Sequence, residues 1–323
     1  MRYAPFGKTG LNVSAITAGT WGIGGVGWGG AVKENSIAAL RTMIDGGVNM
    51  IDTAPFYGVG SAEKVVGEAI KGYDRSKLYI VTKVGVTFPD GPDAMWKKNL
   101  SRASILREID ASLGNLDTGY IDLYVVHWPD IDTKAPPEES FTTLAELKKQ
   151  GKIRHIGVSN FSIAEIEEAR KYAEIEAYQP QHSMICRDNE DIMKWTCDHG
   201  IANMVYAPLG AGILTGHYRT LPKFEDNDWR YLFYPFFKEP VFGRVQKLLK
   251  TLDVIAKDHN APVSQVVINW SARHPLVDTV LLGVRDTGHA RENIAAMDWT
   301  LSDAETARIN KTIAETVDAE CAG

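Results

Sequence analysis

Residues 50–58 read Met50-Ile51-Asp52-Thr53-Ala54-Pro55-Phe56-Tyr57-Gly58. An apolar run, Val48 to Ile51, ends at Asp52, and Tyr57 follows in a loop that holds Pro55 and Gly58. A short apolar run bounded by turn residues reads as a buried strand. A carboxylate therefore sits at the strand's C-terminal end, with a phenol just beyond it. Two further runs finish the same way: Leu78 to Thr82 ends at Lys83, and Ile121 to Val126 ends at His127. In a barrel of parallel strands the C-terminal ends share one face, and that face carries the chemistry.

Each residue alone has a plainer explanation. Asp52 can cap its own turn, Lys83 can reach solvent, and His127 can be a satisfied core histidine. Together they fit a site better. Lys83 closes an apolar strand, the next acid in sequence is Asp90, and a buried ammonium needs a counter-charge. Asp52 is the nearest acid in the same layer of strand ends.

Working outward, strand and helix alternate. Residues 2–15 turn at Lys8-Thr9-Gly10 and predict a hairpin ahead of the barrel. Ile16 to Gly19 is the first strand. Helices are expected at 35–45, 61–70 with Ser61 as cap, 104–113, 137–151, 163–172 and 191–199; later strands are expected at 153–158, 177–181, 201–206 and 280–282. Eight strands alternating with helices predict a (β/α)8 TIM barrel spanning 1–323 as a single domain, with an N-terminal β-hairpin and a C-terminal helix from Asp303 capped by Ser302. Residues 217–242 predict a long loop carrying Trp229, Tyr231, Phe233, Tyr234, Phe236 and Phe237, either a lid or an oligomer contact. Two overlapping GxGxxG matches, Gly22 to Gly27 and Gly25 to Gly30, precede a helix start near Glu34 by too far to be a dinucleotide fingerprint. They predict a loop that lets backbone and Trp21 approach a ligand at the barrel mouth.

The net charge of −6, without a basic run, argues against nucleic acid or an anionic membrane surface as partner. No apolar run reaches the ~18–20 residues of a membrane span. The segment MRYAPFGKTG has no signal-peptide core, and Cys186, Cys197 and Cys321 show neither CxxC nor metal spacing, so a reducing cytoplasm and no metal are expected.

Met50–Gly58, Lys83 after LYIVT and His127 in YIDLYVVHWP, together with KIRHIGVSNFS, YAPLGAGILTG and GVRDTGHAREN, resemble the aldo-keto reductase family, in its bacterial branch related to the potassium-channel beta subunits. The similarity runs through essentially the whole chain in order. It implies a hairpin plugging the barrel's N-terminal end. It also implies a tyrosine acid, Tyr57, supported by Lys83 and Asp52, with His127 orienting the substrate. The chemistry of the residues agrees. Reducing a carbonyl needs an acid for the developing alkoxide, an unperturbed phenol is a weak acid at pKa ~10, and a neighbouring ammonium is expected to lower it. His127 can donate to the carbonyl oxygen. A hydride donor must come from a nicotinamide cofactor.

The resemblance places the cofactor's carboxamide on Ser159, Asn160 and Gln181 and its ring on Tyr206. It brings the backbone of Ala207 and Leu209–Gly212, including Gly210, to the pyrophosphate, beside Trp21 and Gly22. Gly283, Arg285, His289, Glu292 and Asn293 would meet the adenosine end. Arg285 suits a 2′-phosphate and Asp286 would repel one. With Arg285 inward and Asp286 capping a helix near Thr287, the expected cofactor is NADP(H), with NAD(H) as the other option. Trp21, Tyr57, Phe56, Phe88, His127 and Trp128 are expected to line the substrate pocket. The sequence departs from relatives at HSMIC after Gln181 and at His289. A reductase of small aldehydes, ketones or sugars, monomeric or a small homo-oligomer, is the expectation. The alternative is a nicotinamide-binding regulatory subunit with little turnover. A metal-dependent hydrolase is disfavoured, because His127, His155 and His182 lack a matching carboxylate set in sequence.

Overall fold

The computed structural model describes residues 1–24, 32–88, 95–224, 230 and 234–318. Gly25, Gly27, Trp28, Gly30, Asp90, Trp229, Tyr231, Phe233 and Cys321 lie outside the described residues.

Strands β1 (Tyr3–Pro5) and β2 (Asn12–Ser14) form the antiparallel hairpin expected ahead of the barrel. β3 (Ile16–Gly19), β4 (Met50–Asp52) and β5 (Tyr79–Val84) begin the barrel. A small hairpin not foreseen from sequence, β6 (Val86–Thr87) with β7 (Lys97–Lys98), rises just past the end of β5. The barrel continues with β8 (Ile121–Val126), β9 (Ile153–Ser159), β10 (Ala177–Gln179), β11 (Ala202–Val205) and β12 (Thr279–Gly283), which pairs back with β3. All eight are parallel and the barrel is closed, so the (β/α)8 TIM barrel expected from the alternation is the fold.

Helices α1 (Lys33–Asp45), α2 (Ser61–Ala69), α3 (Arg102–Leu116), α4 (Pro137–Lys149), α5 (Ile163–Ala169) and α6 (Glu190–Asp198) follow their strands. Their stops are local chemistry. α1 ends at Gly46, α4 starts on Pro137 with Glu138 and Glu139 in its first turn, and a Ser162–Glu165 capping box opens α5. Ser61 is not a cap. Gly60, at φ +83°, takes the N-cap position, and the Ser61 hydroxyl donates instead to the Gly24 carbonyl at 3.4 Å.

The stretch expected as loop to 242 is shorter than that. A 3-10 turn occupies Pro235–Phe237, and α7 (Val241–Asp258) starts at once, followed by α8 (Val263–Ala272). α9 (Thr287–Ala295) and the C-terminal α10 (Asp303–Ile313), opened by a Ser302–Glu305 capping box, follow, and α10 runs into a π-helical turn at Ala314–Asp318. Tyr234, Phe236 and Phe237 are buried against α7 and α8, so these three aromatics are core rather than an open lid or contact. None of the described helices is long and apolar enough to cross a membrane.

Three apolar clusters hold this together. Strand side chains alternate between faces. Met50, Val81, Leu123, Val125, Ala177, Met204 and Leu281 form a cluster inside the barrel, together with Phe6 and Val13 of the hairpin. Phe6 is fully buried there, and burying a side chain of that size contributes about 1.5–3 kcal/mol. The hairpin therefore plugs one end. The opposite parity, Ile51, Ile80, Tyr124, Ile156 and Tyr178, packs against Leu40, Met43, Val66, Ile105, Leu144 and Ile166 of the helices. The third cluster joins α7, α8 and α10.

Candidate active site

The same parity builds the site. With Met50 and Val81 inward, Asp52 and Lys83 are inward one step nearer the strands' C-terminal ends. With Leu123 and Val125 inward, His127 follows. Asp52 pairs in register with Val81, and Lys83 with Val125. Lys83 and Asp52 are each 1% exposed, so the ammonium is shut away from water and must find its partners in the barrel. It donates to Asp52 Oδ1 at 2.7 Å, to the Thr53 carbonyl at 3.0 Å and to the Tyr57 hydroxyl at 3.2 Å. Tyr57 is brought back over β4 by a loop in which Val59, Gly58 and Gly60 all take positive φ.

Asp52 spends its other oxygen on a residue not singled out in the sequence. Oδ2 accepts from Gln179 Nε2 at 2.8 Å. Gln179 is inward because Ala177 is, a signal the strand parity carried. Gln181, assigned in its place, lies past the end of β10. Its carbonyl accepts from Asn189, and it forms an isolated bridge with Tyr206.

The electrostatics follow from burial. Tyr57 is pushed well above the ordinary phenol range, first by desolvation and then by the Asp52 charge. The expectation that Lys83 leaves it a stronger acid than a free phenol is thus reversed: the cost of a buried tyrosinate outweighs one ammonium 3.2 Å away. The phenol holds its proton. Burial also draws Lys83 below the ordinary ammonium range, with Asp52 pulling back. His127 is driven well below the usual imidazole range by burial and by the Lys83 charge, so it is neutral and keeps one N–H to donate.

Aromatic rings wall the mouth. Trp21 stacks on Tyr57 with centroids 6.2 Å apart, and Phe56 stacks on Phe88 at 5.6 Å and meets His127 edge-on at 6.0 Å. Trp96, unremarked in the sequence, completes the set edge-on to Phe56 at 6.0 Å. Trp128 stands more to the outside, 38% exposed with Lys98 over its ring at 5.2 Å.

Across the mouth, Ser159 ends β9 and its hydroxyl donates to the Gln179 carbonyl at 2.7 Å. Asn160, at φ +62°, donates to Ser159 Oγ and to the His127 carbonyl, both at 3.0 Å, and accepts from the Tyr206 hydroxyl at 2.8 Å. Beyond Tyr206 the chain enters an unusual loop: Ala207, Gly210, Ala211 and Gly212 all have positive φ, around Leu209 and a 3-10 turn. Two of these are not glycine, and such strain collects where a ligand is held. Left-handed residues next to ordinary ones bend a backbone into a concavity that can suit phosphate oxygens, here with the Gly210 and Gly212 amides bonded back to the Ala207 and Leu209 carbonyls, both at 3.0 Å. The residues therefore fit a nicotinamide dinucleotide.

The remaining positions assigned to the cofactor divide. Gly283 ends β12, and Arg285 lies over Gly22, its Nε 3.1 Å from where a Cβ on that glycine would stand. Asp286 caps α9, accepting from the His289 amide at 2.9 Å, and its other oxygen pairs with His289 Nδ1 at 3.0 Å. Glu292 turns toward Ser264 on α8, and Asn293 donates to the Gly283 carbonyl at 3.3 Å. Both are therefore occupied inside the protein.

The family model described as the Aldo/keto reductase family matches residues 15–314. The chain is 36% identical to Aldo-keto reductase YhdN of Bacillus subtilis (strain 168), over 98% of this chain and 95% of the relative. It is 31% identical to the NADH-specific methylglyoxal reductase of Escherichia coli (strain K12), over 98% and 100%. The solved glycerol dehydrogenase AKR11B4 of Gluconobacter oxydans superposes with a TM-score of 0.87 at 30% identity, over 98% of this chain and 96% of that one. With a barrel of eight parallel strands, and Asp52, Tyr57, Lys83 and His127 gathered at its mouth, this chain belongs to the aldo/keto reductase family.

Proposed function

We propose that this chain reduces small aldehydes, ketones or sugar carbonyls to alcohols, reversibly, with NADP(H) as its preferred cofactor. The observation that carries the reading is the contact of Lys83 Nζ with both Asp52 and the Tyr57 hydroxyl. Tyr57 is the proton donor. It holds its proton in the resting site and passes it to the carbonyl oxygen as negative charge develops there. Lys83 then stabilises the tyrosinate left behind, which it does better as the charge appears. Asp52 and Gln179 keep Lys83 in place. Neutral His127 donates to the same carbonyl oxygen and sets its orientation. The cofactor, when bound, supplies the hydride.

Tyr206, fixed by Asn160, offers a ring face to the nicotinamide, and Ser159, Asn160 and Gln179 form the polar wall its carboxamide would meet. Gln179 takes over the place first given to Gln181. The loop 207–212 would hold the pyrophosphate, and Arg285 the adenosine end. Trp21, Phe56, Phe88 and Trp96 favour a small or partly apolar substrate. The relatives whose names state a methylglyoxal reductase and a glycerol dehydrogenase support substrates of that size. The test is a panel of aldehydes, ketones, sugars and polyols, followed by nicotinamide absorbance with both cofactors. Absence of turnover on all of them, with nicotinamide binding intact, would move the assignment to a binding role.

A further inference from the structure

One cluster of ligating side chains lies outside the site just described. His182 follows β10, Glu190 opens α6, and His274 stands just past α8. Their ligand atoms lie within 4.8 Å of one another. His182 Nε2 is 3.1 Å from Glu190 Oε1, and His274 Nε2 is 3.6 Å from the same oxygen. The sequence hides this set, because the outer two residues lie 92 positions apart and the three share no motif.

We propose that His182, Glu190 and His274 form a site for one divalent transition-metal ion of the zinc type. Bonds of about 2.0–2.2 Å to nitrogen and oxygen give a tetrahedral edge of about 3.4 Å, which the two separations bracket. Two imidazoles and one carboxylate suit zinc, cobalt or nickel, and they do not suit magnesium or calcium, which take oxygen ligands. The rings are pre-positioned. His182 is fully buried and stacks flat on Trp270, with centroids 5.8 Å apart and planes 7° apart. His274 leans against both rings, at 4.8 and 5.7 Å. Glu190, about a third exposed, leaves a fourth position open to water.

The arrangement without an ion is poorly satisfied. Two imidazoles compete for one carboxylate oxygen, whereas an ion would let all three side chains ligate at once. An ion would take the place of the two imidazole contacts to Glu190, and it would also cost the long 3.4 Å bond from the Leu276 amide to His274 Nδ1, since ligation through Nε2 moves that ring's proton to Nδ1. Arg187, the nearest cation in sequence to Glu190, is paired with Asp318. Such an ion would clip the loop after β10, α6 and α8 together on the outside of the barrel. Its role is stability, and turnover does not require it.

The test uses the full chain, stripped of metal and titrated with Co2+ by visible absorbance and with Zn2+ by calorimetry. The expected result is one ion per chain, the ligand-field bands of a four-coordinate cobalt site, and a melting temperature raised by a few degrees with Zn2+. His274→Gln and Glu190→Gln should each weaken binding at least tenfold, and His155→Gln, whose ring pairs with Glu176 elsewhere, should not. Circular dichroism checks that each variant is folded. If one is not, the wild-type stoichiometry and the other variant decide. Binding weaker than roughly 0.1 mM, or affinity unchanged in both ligand variants, overturns the site.

Discussion

The Lys83 ammonium lies 2.7 Å from Asp52 Oδ1, with both side chains sealed from solvent. Breaking such a pair from one side is costly, because the remaining charge stays buried; about 3–5 kcal/mol is typical. Lys83→Met should therefore lower both stability and rate. In Lys83→Met/Asp52→Asn the orphan charge is gone, so most of the stability should return while the rate stays low. Without the ammonium the Tyr57 proton should be held more tightly still, and the alkaline fall of the reduction rate should move to higher pH. Thermal melts of the wild type and of both variants, with pH–rate profiles, check this. A single variant as stable as wild type would show that the pair does not carry the cost assigned to it.

Tyr57→Phe keeps the ring that stacks on Trp21 and removes only the hydroxyl. Reduction should fall by ~10²–10⁴-fold, the usual worth of a positioned acid. Nicotinamide binding, followed by quenching of tryptophan fluorescence, should change little. A variant retaining most of the wild-type kcat would exclude Tyr57 as the proton donor.

Gly58 sets the approach of that loop. It sits at φ +62°, and a Cβ there would stand 2.1 Å from the Gly24 carbonyl oxygen and 2.2 Å from Ser61 Oγ. Gly58→Ala should displace Tyr57, lowering kcat as well as stability. Gly72, at φ +92° with nothing within 4 Å, separates the two causes. Gly72→Ala meets the backbone penalty alone, about 1–2 kcal/mol, and should leave kcat unchanged. Equal kinetic effects in the two variants would contradict the steric account.

Much of this was legible from Asp52, Lys83 and His127, because strand ends and side-chain parity are local properties. Phe6 and Val13 plugging the barrel followed from the hairpin as the family resemblance implied. Gln179 was missed although Ala177 and Gln179 share a parity, because the expected strand ran on to Gln181, whereas it ends at Gln179. The third core was missed for another reason. α7 and α8 cover each other and α10, so their burial shows only in the assembled packing, and Val263–Ala272 is buried on nearly every face although it carries Ser264, Gln265, Asn269 and Ser271. Ser61 misled because a serine before an apolar run resembles a cap, whereas the turn needed the left-handed Gly60. The direction of the Tyr57 shift was not readable at all, since it rests on how deeply the phenol is buried.

Glu108 offers a test of buried charge away from the chemistry. Its carboxyl accepts from the Gly85 amide and the Ser104 hydroxyl, both at 2.9 Å, yet burial pushes it from 4.5 up to about 7. The folded chain thus keeps a proton that the unfolded chain gives up. The stability from this proton is complete below the unfolded value of 4.5 and is lost as pH rises through about 7. Glu108→Gln cannot ionise, so its stability relative to wild type should climb between pH 5 and pH 8 by up to a few kcal/mol and then level off. Paired thermal melts across that range check it. A difference that stays flat with pH would mean that Glu108 is not protonated in the folded chain.

Cofactor choice turns on two neighbours with opposite charge. Asp286 is committed: one oxygen caps α9 and the other pairs with His289, which turns both oxygens toward that helix and away from a ribose hydroxyl. Arg285 lies against Gly22 at the edge of the mouth, where its planar fork can meet a phosphate with two parallel bonds. Each charged hydrogen bond contributes ~1.5–3 kcal/mol, so NADPH should be preferred over NADH by roughly tenfold or more. One similar protein is named as NADH-specific, so this preference has to be carried by Arg285 and its surroundings. The measurement is kcat/KM for both cofactors in wild type, Arg285→Ala and Asp286→Asn. Arg285→Ala should lose most of the NADPH preference through KM, and Asp286→Asn should keep it while weakening α9. A wild type that prefers NADH, or an alanine variant with undiminished preference, would falsify the assignment and return Asp286 to the ribose.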